Sequence, residues 1–164
     1  MTHSEVVKFV SVVFGEAKPP SDVSRRELSE LPWISDIVPR LKAPSSPLDP
    51  SGIPYDFLGG AEGEEIPFLI GAYALAALGV GDGDAIELMA DIFVGVCQSL
   101  TEVGGYHQYR FKVLTLEQCS AIARTLEVIA NDSDGPEDRS QTARAALDGF
   151  WGCLLTKYDA TRLG

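Results

Sequence analysis

Residues 109–130 read YRFKVLTLEQCSAIARTLEVIA, and their spacing decides the fold class. Thr115 and Gln118 stand in the T-x-x-Q relation of a capping box, in which each side chain satisfies one unpaired backbone N–H of a first helical turn. The pair predicts a helix that begins near Leu116. Behind it, Leu116, Cys119, Ile122, Ala123, Leu126, Ile129 and Ala130 recur at intervals of three and four, which lines them along one helical face. Cys119 falls inside that stripe. A reactive cysteine needs a stabilised thiolate and access to solvent; the first turn offers part of the former and the stripe opposes the latter. Cys119 is therefore read as a small buried hydrophobe.

The same helical spacing recurs on both sides. Downstream, residues 131–135 form a turn before Pro136, and Glu137 and Asp138 suit the positive end of a helix dipole. Ala143, Ala146, Leu147, Phe150, Trp151, Leu154 and Leu155 then repeat as the inner face of a last helix. Upstream, IPFLIGAYALAALGV (66–80) carries no charge but is shorter than the roughly 20 residues a membrane-spanning helix needs, so it predicts a helix buried on all sides. Gly79 and Gly81 stop it. Asp84 is placed to cap another helix with Glu87 three residues on, and Ile86, Met89, Phe93, Cys97 and Leu100 mark its inner face. Gly104 and Gly105 close it.

At the start of the chain, Ser4 is the expected cap of a helix whose apolar face is Phe9, Val10, Val13 and Phe14, with His3 at a frayed end. Ser21 or Ser24 opens a short helix that Pro32 ends, and residues 33–42 hold another turn or two interrupted by Pro39. Residues 43–63 mix proline, glycine and acids, a long irregular connection that Tyr55, Phe57 and Leu58 pin to the core. The aromatic and β-branched run at 106–114 is a short extended connector. At 164 residues the chain is expected to be one all-α domain, residues 1–164, a bundle of about five or six helices.

Charge is unevenly placed. The net charge is −11, and from Ala43 to Tyr109 there are ten acids and no Lys or Arg. Such a block repels phosphate backbones, so nucleic acid is not expected as a direct ligand. Bases from the flanking helices can fold back onto it. If they do not, the surface stays negative and attracts a basic partner by long-range steering. Glu62, Glu64, Glu65, Asp82, Asp84, Glu87 and Asp91 are the expected contacts, because they cluster around helix starts.

No chemistry is legible elsewhere. The glycines of LGVGDGDAIEL (78–88) match neither GxGxxG nor GxxxxGK[ST], follow no strand, and adjoin acids that would repel phosphate. Asp82, Asp84 and Glu87 do not reproduce the spacing of a calcium loop. His107, between two tyrosines, is read as a loop residue. Trp151 belongs to the last helix's stripe, and Trp33, beside Pro32, is read as a core or interface residue. Catalytic residues, metal ligands and cofactors are therefore expected to be absent, and the chain is not expected to be an enzyme. Cys97, Cys119 and Cys153 form no CxxC pair and suit a reducing cytoplasm; the first residues lack the basic region and cleavage site of a secretory signal.

The order VVFGEAKPPSD, IPFLIGAYALAAL, YRFKVLTLEQCSAIARTLEVIA and ARAALDGFW resembles a family of small bacterial helical proteins of unknown function, with the pattern RF..LT..Q followed by AL..YW. Arg110, Phe111, Leu114, Thr115 and Gln118 fit the first motif. Ala146, Leu147, Phe150 and Trp151 fit the second, with Phe in place of Tyr. The resemblance brings no catalytic residue. Small acidic bacterial proteins of this sort often resemble immunity proteins encoded beside toxins. The expectation is thus an immunity- or antitoxin-type protein that blocks a basic toxin through its acidic surface; the alternative is a regulatory or scaffold module that recognises another protein.

Overall fold

The computed structural model describes residues 1–15, 17, 63, 65–81, 86–101 and 111–163. Every regular element among them is helical, as the periodicities predict. In chain order these are α1 (His3–Phe14), α2 (Glu65–Ala77), α3 (Ile86–Ser99), a 3₁₀ turn (Phe111–Val113), α4 (Leu116–Ala130), α5 (Glu137–Ala146), a π turn (Leu147–Trp151) and α6 (Gly152–Leu163). None of these helices is long and apolar enough to cross a membrane. The predicted helices at 21–42, the connection at 43–62 with Tyr55, Phe57 and Leu58, Trp33, His107, and Gly104 and Gly105 lie outside the described residues.

The uncharged helix sits where an uncharged helix must. Of α2, Ile66, Phe68, Leu69, Ile70, Tyr73 and Leu75 are all buried, and the helix packs against α1, α3 and α4. Burying each large side chain is worth about 1.5–3 kcal/mol relative to exposure. Close approach depends on Gly71, where an added Cβ would lie 2.7 Å from the Cβ and Cγ of Phe14. The helix ends as the glycines predict. Gly79 takes φ +80°, Val80 N donates to Leu75 O at 2.9 Å, and Gly79 N donates to Ala76 O at 2.9 Å, a Schellman closure.

Helix α4 begins where its capping signal places it. Thr115 N donates to Gln118 Oε1 at 2.9 Å and Gln118 N donates to Thr115 Oγ1 at 3.1 Å, so both halves of the capping box are made. Ile122, Ala123, Leu126, Ile129 and Ala130 are buried against α1, α2 and α5. Leu116 and Cys119 depart from the expected stripe: Leu116 is exposed and Cys119 is half-buried, because the first turn of α4 stands at the edge of the core.

At the amino end, the cap is Thr2 rather than Ser4. Thr2 N donates to Glu5 Oε2 at 2.6 Å and Glu5 N donates to Thr2 Oγ1 at 3.3 Å, a capping box that starts the helix earlier than predicted. His3 is accordingly tied down: its Nε2 donates to Leu78 O at 2.8 Å, joining the start of α1 to the end of α2.

The last helix is where phase changes. Gly152 N donates to Leu147 O, five residues back, so the π turn inserts one residue between α5 and α6. Ala143, Ala146, Trp151 and Leu155 face the core as predicted, while Leu147 and Leu154 are half-buried. Phe150, predicted to be internal, is 41% exposed.

Candidate functional site

The amino ends of α3 and α5 and the carboxyl end of α4 meet at one end of the bundle. Arg139, in the first turn of α5, reaches across to α3. Its Nε donates to Asp91 Oδ1 at 2.7 Å, and its Nη2 donates to Glu87 Oε2 at 2.8 Å and to Glu87 O at 3.1 Å. The Arg139 side chain is only 11% exposed, while Glu87 and Asp91 remain 77% and 55% exposed. Burial opposes the guanidinium charge, but the hydrogen bonds that it donates to Asp91 and Glu87 outweigh it and raise its pKa. Glu87 and Asp91 are neighbours at i and i+4, where like charges repel, and the cation between them removes that conflict.

Beside this clamp lies the turn at residues 131–136. Asp132 Oδ1 accepts from Asp134 N at 3.0 Å, which folds the turn, and Glu137 and Asp138 stand in the first turn of α5. Among the described residues, Asp132, Asp134, Glu137 and Asp138 make no ion pair. Arg144, the next base along α5, donates instead to Ala130 O at 2.6 Å and closes the end of α4. Between the turn and His3 runs an open cleft of about 610 Å³, lined by Glu87, Asp132, Asp134 and Arg139. No group of His, Cys, Asp and Glu among the described residues has the arrangement of a metal site.

The opposite end of the same helices carries a second feature. A half-open cavity of about 320 Å³ is walled by Leu100, Phe111, Leu114 and Trp151, with Cys119 and Phe150 completing it. Among the described residues of its lining, Lys112 carries the one charge. Trp151 forms the buried wall, and its indole Nε1 donates to Cys97 O at 2.9 Å, satisfying a carbonyl in the last turn of α3. Phe150 meets Trp151 edge to face, with centroids 5.4 Å apart and planes at 77°. Burial pushes the Cys119 thiol up to about 11, and raises that of Cys97 well above its ordinary value. Neither is a thiolate near neutrality, although Cys119 is half-buried rather than enclosed as the stripe predicts.

Of the seven acids expected to contact a partner, Glu87 and Asp91 stand together on α3, and Glu65 opens α2. Glu62, Glu64, Asp82 and Asp84 lie outside the described residues. The charge pattern leaves room for a base folding back onto the acidic block but does not single out Arg139. NDSDGPED (131–138) reads in sequence as a turn and a helix start, and its acid density is the signal that points to the rest of this surface. Of the residues that carry the resemblance, Phe111 is buried, Thr115 and Gln118 make a cap, Trp151 is core and Phe150 is exposed, while Arg110 lies outside the described residues. No family model matches the chain, and no curated protein and no solved structure matches it.

Proposed function

We propose that this chain is a non-enzymatic protein-binding protein of the immunity or antitoxin kind, whose acidic end docks on a basic surface of its partner. One observation carries the reading: Glu87 and Asp91 are held in place by a largely buried Arg139 yet stay open to solvent, beside four carboxylates that make no ion pair among the described residues. Fixed, solvent-facing carboxylates lose little side-chain freedom on docking, and a concentrated field of one sign accelerates encounter with the opposite sign. A basic toxin whose cleft binds phosphate offers a cationic site that such carboxylates can occupy, and steric occlusion then suffices without chemistry.

The test is capture from the native host with the wild-type chain and with a triple charge reversal, Asp134→Lys, Glu137→Lys and Asp138→Lys. These positions spare the Arg139 clamp. The expected partner is a basic protein released by salt, lost to the variant, and toxic unless the wild-type chain is co-expressed. Capture that is indifferent to both salt and the reversal would remove the acidic end from the mechanism.

A further inference from the structure

The π turn at Leu147–Trp151 adds one residue to a helix that would otherwise run unbroken from α5 into α6, so α6 stands one residue out of phase with α5. One residue is about 100° of rotation about the axis. The sequence supplies a side chain for either phase. Trp151 and Leu155 face the core, while Phe150 and Leu154, each one residue earlier, stand exposed and half-buried beside them. A helix running on in α register from Ala146 would turn that earlier pair inward, since residues four apart share a face. The two phases also differ little in what holds them. The observed one keeps a buried bond, Trp151 Nε1 to Cys97 O at 2.9 Å. Its other ties are at the surface, from Arg124 to Asp159 at 2.8 Å and from the Tyr158 hydroxyl to Glu117 at 3.1 Å. Exposed pairs contribute little. Against them, the π turn forgoes regular helical bonding and leaves Phe150 partly in water.

We propose that residues 147–152 are a register switch, a two-state joint in which loss of the π turn rotates α6 and puts Phe150 and Leu154 in the core places of Trp151 and Leu155. The observed register is the major state. The other is populated at about 0.1–10%, the range of a minor conformer separated by a small free-energy gap. Phe150 already rests edge to face on Trp151, with centroids 5.4 Å apart, so one aromatic ring stands next to the place it would fill. Gly152 is what admits the observed register: its N–H bonds Leu147 O, and an added Cβ would lie 2.8 Å from that same oxygen. The switch changes what the protein presents to solvent. Phe150 is the exposed aromatic in one register and Trp151 in the other, and the tie from Arg124 to Asp159 belongs to the first alone. A contact that grips the exposed indole would shift the population toward the second.

The test is fluorine NMR of the full-length chain labelled with 5-fluorotryptophan, the Trp151 signal being assigned by its loss in Trp151→Phe. Relaxation dispersion and saturation transfer at that signal are expected to show microsecond-to-millisecond exchange with a minor state. Gly152→Ala leaves no room for the longer bond and is expected to raise the minor population about fivefold or more, the worth of replacing glycine by alanine inside a regular helix. Phe150→Ala removes the side chain that fills the core in the second register and is expected to suppress the exchange. Fraying of α6 needs no Phe150, so exchange that survives Phe150→Ala would overturn the switch. So would a wild-type Trp151 signal free of exchange, or a folded Gly152→Ala protein with an unchanged population. If Gly152→Ala does not fold, the wild type and Phe150→Ala still decide. The π turn follows the carboxyl end of α5 and the acidic residues precede or open it, so failure here leaves the docking proposal standing, and the converse holds.

Discussion

Gly152→Ala tests the π turn by the sign of its effect. At an ordinary helical site the change from Gly to Ala adds about 1 kcal/mol of stability, because the unfolded chain loses freedom and the helix gains a better former. At Gly152 the new Cβ would sit 2.8 Å from Leu147 O, the oxygen that already accepts the Gly152 N–H. The obstacle is backbone, so no side chain can swing aside. Either the five-residue-back hydrogen bond stretches, or the segment rewinds into α register and rotates α6 by about 100° about its axis. Rewinding withdraws Trp151 from the core and breaks its bond to Cys97 O, and leaving such a buried group unpaired costs about 1–3 kcal/mol. After subtraction of the helix-propensity gain, Gly152→Ala is expected to destabilise by about 1–2 kcal/mol, a fall in Tm of roughly 2–8 °C for a chain of this length. The internal control is Gly95→Ala in α3, where an added Cβ meets nothing within 4 Å; it is expected to stabilise by about 1 kcal/mol. Thermal melts followed by far- and near-ultraviolet circular dichroism read both. A Gly152→Ala protein as stable as wild type, or more so, beside a stabilised Gly95→Ala would refute the claim that the π turn holds Trp151 in place.

Ser120 is fully buried and its hydroxyl has no hydrogen-bond partner among the described residues, so Ser120→Ala should raise stability by about 1 kcal/mol in denaturant titration; a loss of that size would mean the hydroxyl is satisfied in solution. Trp151→Phe keeps an aromatic ring but strands Cys97 O, and a destabilisation of about 2 kcal/mol is expected with the midpoint shifted and the denaturant slope unchanged. The thiols predict an alkaline limit. Burial raises the Cys119 pKa to about 11 from an ordinary value of 9.0, and raises that of Cys97 as well, so above pH 9 the unfolded chain sheds protons that the folded one retains. Their contribution to stability is fully present below pH 9 and declines as pH rises toward 11, and Cys119→Ala should shallow that decline; an unchanged profile would place the thiol in water. In native alkylation Cys153, which is exposed, should react first and Cys97 last.

Legibility in the sequence depends on whether a signal is local. Caps and stripes are, so the Thr115–Gln118 box, the buried α2 and the glycine stop at Gly79 are readable from spacing alone. The Thr2–Glu5 box is equally local, but a residue beside Met1 reads as a frayed end and Ser4 as the better cap; the bond from His3 to Leu78 O, which ties this turn to α2, spans 75 residues and is not legible from spacing. Phe150 is assigned inward because periodicity assumes constant pitch. One inserted residue reverses that assignment, and its sequence trace is a pair of glycines, Gly149 and Gly152, where helix formers are expected. Arg139 cannot be matched to Glu87 and Asp91 from sequence, since 48 residues separate it from Asp91 and the pairing exists only once α5 packs on α3.

The placement of the acids also has a structural component that bears on any experiment with them. Glu87 lies in the first turn of α3, and Glu137 and Asp138 in the first turn of α5, where the helix dipole favours negative charge by about 0.3–1 kcal/mol each. Removing them therefore touches the fold as well as any partner. The Arg139 clamp sharpens the point: with Glu87 and Asp91 reversed, the largely buried guanidinium faces two cations, and a lost interaction would report a loosened α3–α5 contact rather than a lost interface. Asp134 is free of this ambiguity, since it is exposed, precedes the helix, and makes no ion pair among the described residues. The geometry of α3 supplies the second separation. It holds Glu87 toward one end and Cys97 toward the other, about 15 Å apart along the axis, and the acidic end and the apolar cavity lie beyond those two positions. That exceeds the distance at which substitutions without shared partners normally couple, about 7–10 Å, so a change at Asp134 and one at Phe150 should add independently in stability. Coupling between them would mean that the two ends communicate through the helices that join them.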